Sequence, residues 1–323
     1  MSRYKKSQYE RQERLIENSD LFSGDKGNGY FRGIARPFVL HNGMNNLYAP
    51  IREGVIKYFK ENKISWWGGG KPSGHTLSSQ IACLNHLFAI MNDKDAVLAM
   101  INGVRDEFES VLSVLCDAEP QYIAFEVVSD CDYLNEGTPT RGSNCTSVDA
   151  FIYAVHRGDG KRWLIPIEWK YTEHYYSKDK SNEDRDGDAI GANGKGRERV
   201  GRYAALTDES SQLKSLESYY GSVYYQEPFY QLMRQTLWAE NMVKYRGKER
   251  LKAEDYLHIH VVPSDNKALL ERCYRVSGRG MESTWRSMLN DQSKYVIVDP
   301  KSLFTPITER YPDLASYLAK RYW

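Results

Sequence analysis

Leu164-Ile165-Pro166-Ile167-Glu168-Trp169-Lys170-Tyr171 is a short apolar run that carries a carboxylate and an ammonium two residues apart. Alternate side chains of a β-strand share a face. As a strand, the run sets Glu168 beside Lys170 and turns Ile167 and Trp169 the other way, into a core. Charge inside an apolar segment is costly unless it is satisfied or used. A salt bridge at a strand end is the plain explanation and a working pair is the other. The neighbouring segments decide between them.

Upstream, 147–155 alternates as a second strand, with Ala150, Ile152 and Ala154 on one face and Asp149, Phe151 and Tyr153 on the other. Arg157-Gly158-Asp159-Gly160 between the two runs is a hairpin turn, so the strands are antiparallel neighbours and Asp149 is carried toward Glu168. Before them, 122–128 is β-branched and aromatic, reads as a strand and holds Glu126; 130–146 is turn-rich loop. After them, 172–210 is polar and Gly-rich and reads as a long mobile excursion bearing Asp184, Asp186, Asp188, Lys195, Arg197, Arg199 and Arg202. A helix is expected over 229–245, with Pro228 at its start. Its core side is Phe229, Leu232, Met233, Thr236 and Leu237, and Gln231, Arg234, Gln235 and Trp238 form a separate stripe. A fourth strand follows at 256–263, then a helix near 280–290, a short strand at 295–298 and a helix at 311–321.

The first part of the chain reads as helix and loop. Residues 1–20 suit a loose helical arm, 21–50 a loop rich in Gly, Asn and Pro, and 51–61 a helix with Ile51, Val55, Tyr58 and Phe59 on one side. Trp66-Trp67-Gly68-Gly69-Gly70-Lys71-Pro72 resembles a phosphate loop only superficially. Ser65 stands where the first Gly is needed, and Pro72 where a metal-binding hydroxyl is needed. A turn leading to a helix is the better reading, with the helix starting near Thr76–Ser79 and burying Ile81, Leu84, Leu87, Phe88 and Met91. Helical spacing continues over 94–101 and over 105–116, where Phe108, Val111, Leu112 and Leu115 form a stripe.

Composition narrows the function. The 323 residues include 44 basic and 43 acidic side chains, so a nucleic-acid surface must be a local patch rather than a general polycation. No run approaches the roughly 20 apolar residues of a membrane span, and the charged first residues are unlike a signal peptide, which predicts a cytoplasmic protein. Cys83, Cys116, Cys131, Cys145 and Cys273 have no metal-site spacing and are expected to be free thiols. His258 and His260 alternate in an apolar strand without a third ligand in register, which predicts packed or hydrogen-bonded rings. No repeat or linker divides the chain. The expectation is one domain, with a core over about 75–265, an extension at 1–74 and a C-terminal strand and helix within 266–323.

Glu126, Asp149 and Glu168 then lie on three successive strands, with Lys170 beside the last. Clustered carboxylates raise one another's pKa unless a cation neutralises them. Mg²⁺ prefers such oxygen ligands, and a main-chain carbonyl such as that of Trp169 can join them. An ion there polarises a phosphodiester and lowers the pKa of an attacking water, and Lys170 stabilises the charge that develops on the phosphate.

Asp149, eighteen intervening residues and then Glu168-Trp169-Lys170 on a strand resembles the PD-(D/E)xK nuclease superfamily, in its bacterial restriction-endonuclease-like branch. Residues 141–149 and 167–173 carry the resemblance, with Val148 where the motif has Pro. It implies an α/β fold with an αβββαβ core and a mixed central sheet flanked by helices. It also implies hydrolysis of DNA with Mg²⁺, for which Mn²⁺ substitutes, and a homodimer where both strands are cut. Asp149 and Glu168 correspond to metal ligands and Lys170 to the catalytic lysine, with Glu126 as a further acidic position. Gln80 or Glu107 would match a Glu of the first helix, and Gln231, Arg234 or Gln235 a motif on the helix after the sheet. The competing expectation is a fold that binds nucleic acid or protein without cutting.

For DNA contact the sequence offers Arg197, Arg199, Arg202 and Tyr203, with Gln231 and Arg234 on the later helix and Trp66, Trp67 and Lys71 in the early turn. Arg and Lys meet phosphates, and aromatic rings stack on bases.

Overall fold

The computed structural model describes residues 2–114, 120–137, 141, 145–175, 179–183 and 194–323. Leu115, Cys116 and the acidic trio Asp184, Asp186 and Asp188 lie outside the described residues.

The chain enters through α1 (Arg3–Asn18), capped by the Ser2 side chain, which accepts from the Lys5 N–H. Tyr4, Gln8, Gln12 and Ile16 recur at every fourth position and form its buried stripe. A small hairpin follows, β1 (Gly29–Phe31) and β2 (Ile34–Arg36), where the sequence read only loop. Next come α2 (Arg52–Glu61), α3 (Ser79–Leu87), capped by Ser78, and α4 (Lys94–Val104), capped by Asp93. These match the expected helices.

The stripe at 105–116 is not a helix. Residues Phe108–Leu112 form β3, which pairs antiparallel with the outer half of a central strand. The register shifts between Phe108 and Ser110. That irregularity leaves Phe108 and Val111 as the buried pair. An extra residue in a strand therefore imitates the three-residue spacing of a helix. β4 (Ile123–Val127) pairs with the other half of the same central strand. β3 and β4 are thus two lengths of one edge, interrupted by an insertion that the Val114 N–H closes against the Gln121 carbonyl at 2.8 Å.

The central pair is β5 (Val148–His156) and β6 (Arg162–Trp169), antiparallel through Ala150–Ile167 to Val155–Arg162. Two helices come next. The first is α5 (Lys195–Asp208), which corrects the expected loop over 172–210, and the second is α6 (Phe229–Lys244). Strands β7 (Asp255–Tyr256) and β8 (His258–Val261) then run parallel to β6. α7 (Lys267–Leu270) and α8 (Met281–Ser287) lead to β9 (Tyr295–Val298), parallel to β8, and α9 (Pro300–Phe304) and α10 (Pro312–Arg321) finish the described chain.

The seven strands make one mixed sheet, antiparallel from β3 and β4 to β6 and parallel from β6 to β9. Alternation along β5 and β6 gives it two apolar faces. Ile152, Ile165, Ile167 and Trp169 join a cluster with α2, α3, α4 and α10, and Phe151, Tyr153 and Leu164 join one with α5, α6 and α8. This is the expected helix-flanked mixed sheet, widened by β9. No helix among the described residues is long and apolar enough to cross a membrane.

Candidate active site

Three strand positions stand in one row across the sheet. Phe125 pairs with Ala150 and Val127 with Val148, so Glu126 and Asp149 face each other between them. Ala150 pairs with Ile167, so the next step sets Asp149 beside Glu168. The ladder bond that would continue there is replaced, because the Trp169 N–H donates to Asp149 Oδ2 at 2.7 Å. β8 extends the row, with His260 paired to Glu168.

Each carboxylate has a distinct setting. Glu126 has φ near +49°, a left-handed conformation that a Glu seldom adopts. Strain of this kind costs on the order of 1–3 kcal/mol and persists only where the surroundings hold it. They do so here. Arg141 donates from Nε to the Glu126 carbonyl at 2.9 Å and from a guanidinium nitrogen to that of Phe125. The Glu126 carboxylate accepts from Gln80 Nε2 at 2.7 Å and from Ser147 Oγ at 3.0 Å. Glu168 is 4% exposed and accepts from Lys170 Nζ and Gln235 Nε2. Lys170, also 4% exposed, donates in addition to Gln231 Oε1 and lies 5.8 Å from the ring centre of Tyr175.

Burial and mutual repulsion set the charges. Asp149 is pushed well above the usual carboxylate range, first by burial and then by Glu168 and Glu126. Glu126 is raised by burial too, against the lowering effect of Gln80 and Ser147. Burial acts against the Lys170 ammonium, but Glu168 outweighs it and holds Lys170 charged, with its pKa well above the ordinary lysine value.

The row ends in a cleft of about 550 Å³, between the first turn of α3 and the first half of α6. Glu126, Asp149, Glu168 and Lys170 line it, as do Gln80, Gln231, Arg234 and Gln235. Both glutamines of α6 are thus placed on the charged pair. Arg234 is held by Thr146 Oγ1 at 3.3 Å and by Glu136 Oε1 at 3.5 Å. Gln80, not Glu107, meets the site from the first helix; Glu107 pairs with Arg105, ahead of β3. Glu173 also reaches the cleft, and its carboxylate accepts the Tyr171 N–H at 2.6 Å.

A second layer was legible only in outline. His258 Nε2 meets Gln235 Oε1 at 2.9 Å, and His260 Nδ1 meets the Tyr295 hydroxyl at 2.8 Å. The two rings are hydrogen-bonded, as their alternation suggested. Gln235 therefore links His258 to Glu168. Ser147 and Arg141 support Glu126; Ser147 alternates with Asp149, whereas no spacing in the sequence announces Arg141.

The basic residues read as DNA contacts divide. Arg197 is exposed on α5 and Arg202 half-buried. Arg199 binds the Glu183 carboxylate and the Lys180 carbonyl. Tyr203 is buried, with its hydroxyl on Glu136 at 2.6 Å, which removes it as a stacking surface. Trp66 stacks on Phe59 at 3.9 Å, whereas Trp67 lines the cleft.

The donor set fits a hard divalent cation by its chemistry. Carboxylates stand in one row, and Asp149 and Glu126 bear the cost of burial and of neighbouring negative charge, which a cation offsets. Among the described residues no three His, Cys, Asp or Glu side chains close around a single point. Glu126 and Glu168 are instead satisfied by side-chain donors, and an ion would take the place of some of these.

A family model described as "Restriction Endonuclease associating with ARP" matches residues 5–323. No curated protein and no solved structure matches the chain.

Proposed function

The chain belongs to the family of restriction endonucleases associating with ARP, and from that premise we propose that it hydrolyses DNA phosphodiester bonds with Mg²⁺, or with Mn²⁺ in its place. The observation that carries the reading is the row Glu126, Asp149, Glu168 with Lys170 paired to Glu168, opening into one cleft. Asp149, Glu168 and Glu126 would hold the ion, together with the main-chain carbonyl of Trp169. The ion, when bound, neutralises the phosphate and lowers the pKa of an attacking water.

The chain's own groups have separable tasks. Lys170 stays protonated and stabilises negative charge that builds on the phosphate. Gln231 fixes its ammonium, and Gln235 fixes the Glu168 carboxylate that it pairs with. The Trp169 N–H orients Asp149. Arg197 and Arg202 on α5 are phosphate contacts in this reading. Cutting both strands with one such cleft per chain calls for two copies. A complex with ARP, named in the family description, belongs to the same reading.

The rival is a fold kept for binding alone. One observation favours it: Glu168 and Lys170 already satisfy each other. Plasmid cleavage in Mg²⁺ or Mn²⁺ separates the two. Isosteric variants are the right probes, because alanine also opens a cavity beside the buried charge that remains. Glu168→Gln and Lys170→Met should each lose about a hundredfold or more in rate, as expected for removing a group aimed at developing charge. Cleavage by both at the wild-type rate sinks the nuclease reading.

A further inference from the structure

The β1–β2 hairpin adds little to the core. Every residue of β2 is exposed, and Tyr30 and Ile34 are 76% and 53% exposed. A free two-stranded hairpin is marginal in water, so an exposed one with large apolar side chains needs a reason.

Its root is rigid. The Gly29 N–H donates to the Val39 carbonyl at 2.7 Å and the Leu40 N–H to the Gly74 carbonyl at 2.8 Å, while Val39 bridges His75. A Cβ at Gly29 would stand 2.4 Å from the Leu40 oxygen, so the close approach requires glycine. Phe31 packs edge-on against His75 at 4.5 Å and stacks with Trp67 at 6.0 Å. This same root leads into α3, whose first turn faces the carboxylate row.

Its tip is unusual. Arg32 and Gly33 have φ of +52° and +76°, the pattern of a type I′ turn. Asn-Gly suits that turn, and a long side chain in the left-handed region is strained. The Arg32 guanidinium lies 5.4 Å from the Phe31 ring centre. From Lys26 to Arg52 the chain carries Lys26, Arg32, Arg36 and Arg52 and no Asp or Glu. Phe31, Arg32 and Trp67 (52% exposed) line the same cleft as Asp149 and Glu168.

We propose that this hairpin is a DNA-reading ribbon, which enters the major groove of a duplex whose backbone lies in the cleft and presents Arg32 to the base edges. The proposal rests on the nuclease reading for the position of the duplex. Its dimensions agree. Three-residue strands rise about 10 Å, and the major groove is about 8.5 Å deep and wide enough for two strands. Arg is the side chain that pairs with both acceptors of a guanine edge, and Tyr30 and Ile34 supply apolar contact to thymine methyl groups. The hairpin's own charges are all positive, and the nearest carboxylate along the chain, Asp25, is taken up by the N–H groups of Gly27, His41 and Asn42 at its base, which favours a polyanion over a protein surface or a second copy of this chain.

The test uses the full chain and a fluorescent random-sequence duplex pool, without divalent metal for binding and with Mg²⁺ for cutting. Arg32→Asn retains the turn by giving it Asn-Gly, so it keeps its fold, and Tyr30→Ala is the second variant. Arg32→Asn should bind the sequences selected by wild type about 5- to 150-fold more weakly and lose preference at the positions Arg32 reads. Tyr30→Ala should show a smaller loss. The ribbon is overturned if Arg32→Asn selects and binds the same sequences as wild type, or if wild type binds no duplex. It is also overturned if Tyr30→Ala breaks a dimer in sedimentation while leaving DNA binding intact. Failure of the two readings differs: cutting of identical sites by Arg32→Asn rejects the ribbon alone. Binding that depends on Arg32 without any cleavage by wild type rejects the nuclease alone.

Discussion

At Glu168 and Lys170 two charges share a site that is almost closed to water. Removing one of them leaves the other unpaired, at a cost of about 3–5 kcal/mol. Urea melts should therefore show Glu168→Ala destabilised on that scale, with Glu168→Gln, which keeps the volume and one acceptor for Lys170, less so. Asp149 behaves in the opposite way. Its folded pKa is raised, so the proton it keeps stabilises the fold at low pH, and that contribution is lost as pH rises from near the unfolded value of 3.8 through the raised one. Once ionised, the group is held against burial and against the charges of Glu168 and Glu126. Asp149→Asn should then abolish cleavage while raising stability by roughly 1 kcal/mol, a familiar exchange of activity for stability. A melt in which Asp149→Asn is less stable than wild type would contradict this electrostatic account. These three residues were legible because strand period and a tight turn fix which side chains meet. Arg141 was not, because it acts on Glu126 from a loop, where no period exists, and Ser147, which the period puts on the Asp149 side, lies just ahead of β5.

Among the elements, the clearest misreading was β3, where the irregularity at Phe108–Ser110 gives a strand the buried spacing of a helix. α5 was hidden for the reverse reason. Its buried stripe is Gly196, Val200, Tyr203 and Thr207, with only two apolar side chains, and Gly194 precedes it without a side-chain cap. α6 was plain, since it carries both an apolar stripe and a polar one. α10 shows what periodicity cannot show. Its Arg321 is wholly buried and donates to the Asn46 carbonyl and side chain and to the Tyr317 hydroxyl, over the ring of Phe22 at 5.0 Å. One guanidinium thus ties the last helix to the segment after the hairpin. Arg321→Ala leaves the Asn46 side-chain oxygen unsatisfied and opens a cavity, and should cost roughly 2–4 kcal/mol in a denaturant melt. A change under 1 kcal/mol would mean that the two segments are held elsewhere.

Taken whole, the molecule buries neutral imidazoles. Burial lowers His75 and His258 to about 4 and His86 to about 3. The unfolded rings take up protons near pH 6.5, well before the folded ones. Their stability is therefore complete above that pH and is lost as pH falls toward 4, by about 3 kcal/mol for each ring. Asp149 and Glu126 act in the opposite sense and recover part of it. The sum still rivals the roughly 5–15 kcal/mol of a typical fold. Near-ultraviolet circular dichroism should show cooperative acid unfolding between about pH 6 and 4, and His75→Gln should move the midpoint downward. A flat signal to pH 4 would overturn this. The sheet has a colloidal consequence as well. A formal charge of +1 gives two copies almost no repulsion to keep them apart. Yet the β3–β4 edge is broken by an insertion and by the left-handed Glu126, and β9 is four residues long and stops at Asp299-Pro300. Edges this short and irregular are poor templates for a foreign backbone. In concentrated solution the chain should resist strand-to-strand aggregation, so that whatever copies meet do so through side chains.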